Sequence, residues 1–270
     1  MGVVHRHEIS HVAHTHHRVM APLSDASVRR VLERLDPPRD GRVLDLGCGR
    51  GEWLRRTLTA RADLTGVGVD LHLGADAARF EDGVVGRGRL VEADATTWSD
   101  GAFDAVLAVG VSHVFGGPGG TLDAVRRHLA PGGRVLLGDG TWDVPPTEAA
   151  LTALEAGPDE FPDLAGLVAL VAEHGFEVVH GHVSTLEEWD EYEWSWTGSL
   201  ADWALAPGRD PADRAQALEA SHAHREAWLH GYRGVLGFAT LVLADATTDA
   251  NKNTNANTNT NASPRTHIDQ

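Results

Sequence analysis

Residues 43–51 read V-L-D-L-G-C-G-R-G, a buried-strand pattern that runs into a turn with glycine at positions 47, 49 and 51. Residues without a side chain let a backbone bend sharply and approach a ligand at contact distance. The helix that must follow offers unpaired N–H groups, which suits a nucleotide-like ligand. Two more carboxylates close later strand patterns, Asp70 in T-G-V-G-V-D and Asp94 in R-L-V-E-A-D. An acidic strand end accepts hydrogen bonds from ribose hydroxyls. Asp70 or Asp94 alone would serve equally well as a helix cap, and Asp45 could simply bond the turn backbone. Their placement after successive strands favours a ligand site. A dinucleotide fold would show G-x-G-x-x-G; the spacing here is G-x-G-x-G, which disfavours NAD.

These side chains need a scaffold that brings successive strand ends to one edge. Val28, Val31, Leu32 and Leu35 predict a short helix that Ser24 caps and Pro37-Pro38 stops. Strands at 43–47, 65–70, 89–94, 103–109, 134–138, 176–183 and 235–244 then alternate with helices at 52–59, 74–80, 121–130 and 163–174. Pro131-Gly132-Gly133 turns the chain between the third of these helices and its strand. Such alternation predicts an α/β fold with a doubly wound, mainly parallel seven-stranded sheet. Ligands in such sheets bind beyond the carboxyl ends of the strands. Residues 185–232 break the rhythm: five tryptophans (189, 194, 196, 203 and 228), Tyr192 and Tyr232 lie among many acids, in two helices divided by A-P-G-R-D-P. This segment reads as a helical lid inserted between the last two strands. One domain over 1–246 is expected, with 1–40 as an N-terminal cap segment and 247–270 as a disordered Asn/Thr-rich tail.

The chain holds 39 acidic against 23 basic residues, a formal charge of −16. That excess argues against a nucleic-acid partner, which would need Lys and Arg at phosphates. It leaves a small neutral or cationic molecule as the natural substrate, although solubility alone would explain the charge. Cys48 is the single cysteine, so no intrachain disulfide can form, and its place in the strand turn suggests a small buried residue. No apolar run approaches a membrane span and no signal-peptide core opens the chain, so a cytoplasmic protein without membrane association is expected. Histidines crowd the N-terminus at 5, 7, 11, 14, 16 and 17, without metal-ligand spacing or a cysteine partner; no metal is expected. His222, His224 and His230 fall on a polar helix and should be solvated.

Four motifs in order, V-L-D-L-G-C-G-R-G-E-W-L, V-G-V-D-L, V-E-A-D-A-T-T-W and L-A-P-G-G-R-V-L-L-G, resemble the class I S-adenosylmethionine-dependent methyltransferases. The likeness spans about 42–140, and the later strand pair fits to about 245. Within that family the chain is most similar to bacterial small-molecule enzymes with S-H-x-F-G-G after the fourth strand, here Ser112 to Gly117. The resemblance implies S-adenosylmethionine as cofactor. Asp45 and the backbone of Gly47, Gly49 and Gly51 would surround its methionine portion and ribose. Asp70 would take both ribose hydroxyls, Leu71 would pack on adenine, and Asp94 with the Ala95 N–H would meet the adenine edge. A carbonyl at Val109 or Gly110 would face the ammonium. A cofactor with a sulfonium and an ammonium but no phosphate suits carboxylates and carbonyls.

On the acceptor side, methyl transfer is an in-line displacement driven largely by positioning. A base is needed only for a protonated acceptor. His113 follows the fourth strand and is the first candidate for base or orienting residue. Trp142 lies near Asp139 at the end of the fifth strand, where an indole face would favour a cationic acceptor. Trp189, Tyr192 and Trp196 share a helical face that would cover the cavity, and His14 or His17 would line it if the cap folds over. The alternatives are a non-methylating user of the cofactor such as a cyclase, an NAD-dependent oxidoreductase, or a binding module. Which acceptor is used, and the oligomeric state, are not encoded in these motifs.

Overall fold

In the computed structural model the described residues are 6–73, 80 and 84–246. Their elements run α1 (Arg6–Ala13), α2 (Asp25–Leu35), β1 (Arg42–Leu46), α3 (Glu52–Ala60), β2 (Thr65–Asp70), β3 (Gly88–Glu92), β4 (Phe103–Val109), α4 (Ser112–Phe115), α5 (Pro118–His128), β5 (Leu129–Trp142), α6 (Glu148–Leu154), α7 (Leu164–Glu173), β6 (Phe176–Val183), α8 (Leu186–Leu205), α9 (Pro211–Ala227), a π-turn (Trp228–Tyr232) and β7 (Leu236–Asp245). The expected helix at 74–80 and the tail at 247–270 fall almost wholly outside the described residues.

The seven strands form one sheet in the order β3-β2-β1-β4-β5-β7-β6. All neighbours pair in parallel except β7, which runs antiparallel to both β5 and β6. Side chains alternate across the pleat, so both faces are covered and the central strands are apolar throughout. Leu44, Leu46, Val106 and Leu137 face Leu122 and Val125 of α5 and Leu167 and Val171 of α7. Val43, Ala105, Leu107 and Leu136 face Val28, Val31 and Leu35 of α2 and Leu54 and Leu58 of α3. The two layers fix the strands' register and hence the positions of their ends.

Chain order reverses between β1 and β4, the topological switch point of this sheet. The ends of β1, β2, β4, β5 and β6 and the start of β7 all reach that same edge. α8 and α9 lie between β6 and β7 in sequence, where the insertion was predicted.

Several boundaries differ from the sequence expectation. The Pro131-Gly132-Gly133 turn is a bulge within one long strand: Leu129 pairs with Phe103 before it, and Arg134 with Ala105 after it. The helix expected at 121–130 starts earlier, at Pro118, because Gly116 and Gly117 take positive φ angles of 77° and 103° and let the chain restart after the short α4. β3 ends at Glu92, so Asp94 sits in the following turn rather than on the strand. The short helix α6, capped by Thr147, has no periodic stretch long enough to be predicted.

Candidate functional site

The glycine turn folds across the end of β2. Gly47 and Cys48 donate their N–H groups to the Val69 carbonyl (2.8 and 3.0 Å), and Gly51 donates to Cys48. Gly47, Gly49 and Gly51 have φ angles of 67°, 52° and 74°, a region closed to most side chains. A Cβ on Gly47 would come within 2.3 Å of Val111. Gly51 caps α3, so the turn leads directly into the first N–H groups of that helix.

Asp45 stands at the base of this turn, buried, in reach of the Leu54 N–H. Burial, with the nearby Asp70 charge adding to it, pushes its carboxyl up to about 8. Its Oδ2 meets no donor among the described residues. Asp70 closes β2 and accepts from the Gly49 N–H (2.8 Å) and the His72 N–H (2.9 Å), which ties the carboxylate to the turn. Leu71 follows it, exposed. Asp94 accepts from the Thr96 N–H and hydroxyl through one oxygen (2.8 and 2.7 Å), and the Thr96 hydroxyl holds it below the usual carboxylate range. Ala95 is buried beside it. Trp98, four residues on from Asp94, packs against Phe103 and His128.

Across the switch point, Gly110 follows Val109 at φ 70° and donates to the Gly138 carbonyl (2.8 Å). Ser112 donates to Asp139 Oδ1 (2.9 Å), and burial raises Asp139 while its Oδ2 meets no donor among the described residues. His113 is exposed on α4, close enough for its charge to act on Asp139. Trp142 does not join this rim. It is buried, its indole N–H donates to Pro158 O (2.9 Å), and Phe161 meets it edge-on.

The N-terminal segment reaches over the turn. Arg50 donates to the carbonyl of His14 (3.1 Å), so the one cation of the glycine motif grips backbone. The Met20 Sδ lies 3.9 Å from where a Gly49 Cβ would be, and the Met20 carbonyl 3.8 Å from that of Gly110. His17 stacks on Tyr192 at 4.0 Å and shares a 2.8 Å hydrogen bond with its carbonyl. Burial raises the Tyr192 phenol. Both rings wall a groove of about 590 Å³ that Arg30, His182, Glu188 and Glu191 also line, a size typical of small-ligand sites.

Sequence reading missed a cluster beside that wall. Glu193 is buried and accepts from Tyr232 Oη (2.8 Å), with His224 Nε2 at 2.7 Å. His224, expected to be solvated, stacks on Trp196 at 3.7 Å. A signal existed: Glu193 falls on the stripe Trp189, Trp196, Leu200 and Ala204, where an acid must find a partner. Trp189 packs into the core rather than over the groove. Among the described residues no group of histidines, cysteines and acids could hold a metal ion. No helix there is long and apolar enough to cross a membrane.

A sequence model of a family described as a methyltransferase domain matches residues 13–181. The chain belongs to the methyltransferase domain family. Its resemblance to class I S-adenosylmethionine-dependent methyltransferases thus holds for the family and for the sheet. The Escherichia coli protein YjhP is 32% identical over 67% of this chain and 76% of its own length. A tRNA U34 carboxymethyltransferase of Haemophilus ducreyi is 30% identical over 76% of this chain. That match covers 66% of the relative, so this chain spans just under two thirds of it. Among solved structures, an S-adenosylmethionine-dependent methyltransferase from Thiobacillus denitrificans, in complex with S-adenosyl-L-homocysteine, superposes with a TM-score of 0.79. It shares 27% identity and covers 90% of this chain and 99% of its own.

Proposed function

We propose that this methyltransferase binds S-adenosylmethionine at the β1–β4 switch point and transfers its methyl group to a small molecule. The observation that carries the reading is the pair of buried carboxylate oxygens, Asp45 Oδ2 and Asp139 Oδ2, that no donor among the described residues reaches. An unpaired buried acceptor is costly, and a ligand carrying an ammonium and hydroxyls supplies the missing donors. When bound, the cofactor supplies a sulfonium-activated methyl group. Asp70, already fixed by Gly49, holds the ribose hydroxyls; Leu71 covers adenine, and Asp94 with the Ala95 N–H meets its edge. Asp45, the turn glycines and the Val109–Gly110 carbonyls surround the methionine portion. Arg50 grips the His14 carbonyl, and the G-x-G-x-G spacing of the turn disfavours NAD.

The acceptor enters from the groove beside Tyr192 and His17, with His113 orienting it at the rim. Its lone pair displaces sulfur in line, and positioning supplies most of the acceleration. Trp142, sealed by Phe161 and Pro158, contributes packing at the end of β5 rather than an acceptor face. The acidic balance of the chain, −16 overall, and Glu188 and Glu191 in the groove favour a small neutral or cationic acceptor over RNA. Calorimetry with S-adenosylhomocysteine tests the cofactor site. Asp70→Ala should weaken binding on the order of 10- to 100-fold, the worth of hydrogen bonds to a charged group; equal affinity in native and variant protein would sink the assignment.

A further inference from the structure

Within the methyl-transfer reading, on which this step rests, we infer that the acceptor is a zwitterion held in the groove between α2 and α8. Arg30 takes its carboxylate, and Glu187 with Glu191 takes its ammonium. Ser27 and Arg30 stand one turn apart on α2 and line the groove from that side. Glu187, Glu191 and Ser195 follow at four-residue steps along α8 and line it from the other helix. Glu188 ties the two helices together. It accepts from the N–H of Ser24, the cap of α2 (2.9 Å), from the Thr185 N–H (3.0 Å) and from His182 Nε2 (2.9 Å).

Several charged groups on this groove already have partners: Glu188 as above, Arg18 with Asp25 (3.3 Å), and His182 with Glu188. Arg30, Glu187 and Glu191 differ. They are exposed, and none forms a hydrogen bond or ion pair with a described residue. A ligand that fills the groove strips water from these three charges, which is costly unless it brings partners for them. A lone anion would meet two carboxylates, and a lone cation would leave the guanidinium bare. A molecule carrying both signs satisfies all three. Being neutral overall, it is not opposed by the chain's charge of −16. The forked guanidinium suits a carboxylate in particular, which it holds through two parallel hydrogen bonds. A groove of about 590 Å³ has room for such a small ligand.

The groove adjoins the cofactor turn through the N-terminal segment. Val19 and Ala21 line the groove. Met20, between them, meets the turn: its Sδ is 3.9 Å from the place of a Gly49 Cβ, and its carbonyl 3.8 Å from that of Gly110. The charged groups thus anchor the acceptor on one side of this segment, and its reactive end reaches past Met20 toward the β1–β4 switch point. An unbranched, flexible methionine side chain can yield to admit that end.

Labelled methyl transfer from S-adenosylmethionine into a small-metabolite extract, read by mass spectrometry, should mark a compound whose unmethylated form carries both a carboxylate and an amine. A product lacking either group would overturn the inference and leave methyl transfer standing. With that unmethylated compound as substrate, Arg30→Gln should raise KM about 10-fold, the loss of a charge-assisted hydrogen bond, with kcat unchanged. Arg30→Lys, which keeps the charge, should recover part of that loss. The double variant Glu187→Gln, Glu191→Gln should also raise KM, yet strengthen inhibition by the analogue that lacks the amine. A KM unmoved by Arg30→Gln or by the double variant would overturn the inference. Calorimetric affinity for S-adenosylhomocysteine should stay at the native value in each variant, which reports that it folds. No labelled product, or no S-adenosylhomocysteine binding by the native protein, would overturn the methyl-transfer reading and this inference with it.

Discussion

Asp45 and Asp70 show how one local pattern can hold two kinds of carboxylate. Asp70 is tied to backbone N–H groups, whereas Asp45 is buried with an open acceptor oxygen and its carboxyl raised to about 8. Folding therefore keeps a proton on Asp45 that the unfolded chain, with its ordinary 3.8, loses early. The resulting stabilisation is full below about pH 3.8 and fades as pH climbs toward 8. A cationic ligand beside Asp45 reverses this preference, so cofactor binding at pH 7 should expel a proton. Calorimetry of S-adenosylhomocysteine in two buffers of different ionisation enthalpy should give different heats, and Asp45→Asn should remove the difference. Equal heats in the native protein would place the ligand's ammonium elsewhere. These carboxylates were legible because short spacing and strand periodicity carry them. Glu193 and His224 were not, since their pairing spans 31 residues and depends on how α8 packs on α9.

At the scale of elements, the turn after β1 depends on backbone conformations that only glycine takes without strain. Gly47 combines a φ of 67° with a Val111 methyl 2.3 Å from the place of a Cβ. Gly47→Ala should destabilise the protein by on the order of 1–3 kcal/mol, read from urea denaturation. A loss within a few tenths of a kcal/mol would mean that the turn and Val111 relax freely. Strands β1, β2, β4, β6 and β7 emerged from the sequence within about a residue because apolar runs and flanking glycines mark them. The bulge at Pro131–Gly133 did not, because its pairing on both sides is set by β4 rather than by its own residues. The same limit explains Trp142: its place after β5 suggested a rim, but Phe161 and Pro158, from a loop with no periodic signal, close over it.

For the molecule as a whole, the sheet supplies a switch point and the covering segments supply selectivity. The N-terminal segment and the α8–α9 insertion meet over the turn through Arg50–His14 and His17–Tyr192, so neither segment alone defines the chamber. The charge of −16 acts at this scale too, as a net field that is unfavourable to polyanions. The family match fixes methyl transfer as the domain's chemistry, while the choice between a small molecule and RNA rests on those covering segments. The most direct test is transfer of isotopically labelled methyl groups from S-adenosylmethionine into a cell extract split into small-molecule and RNA fractions, followed by mass spectrometry of the labelled products. Label should appear in the small-molecule fraction and fall sharply with Asp70→Ala. Label confined to the RNA fraction, or no transfer by a protein that binds the cofactor, would contradict the account.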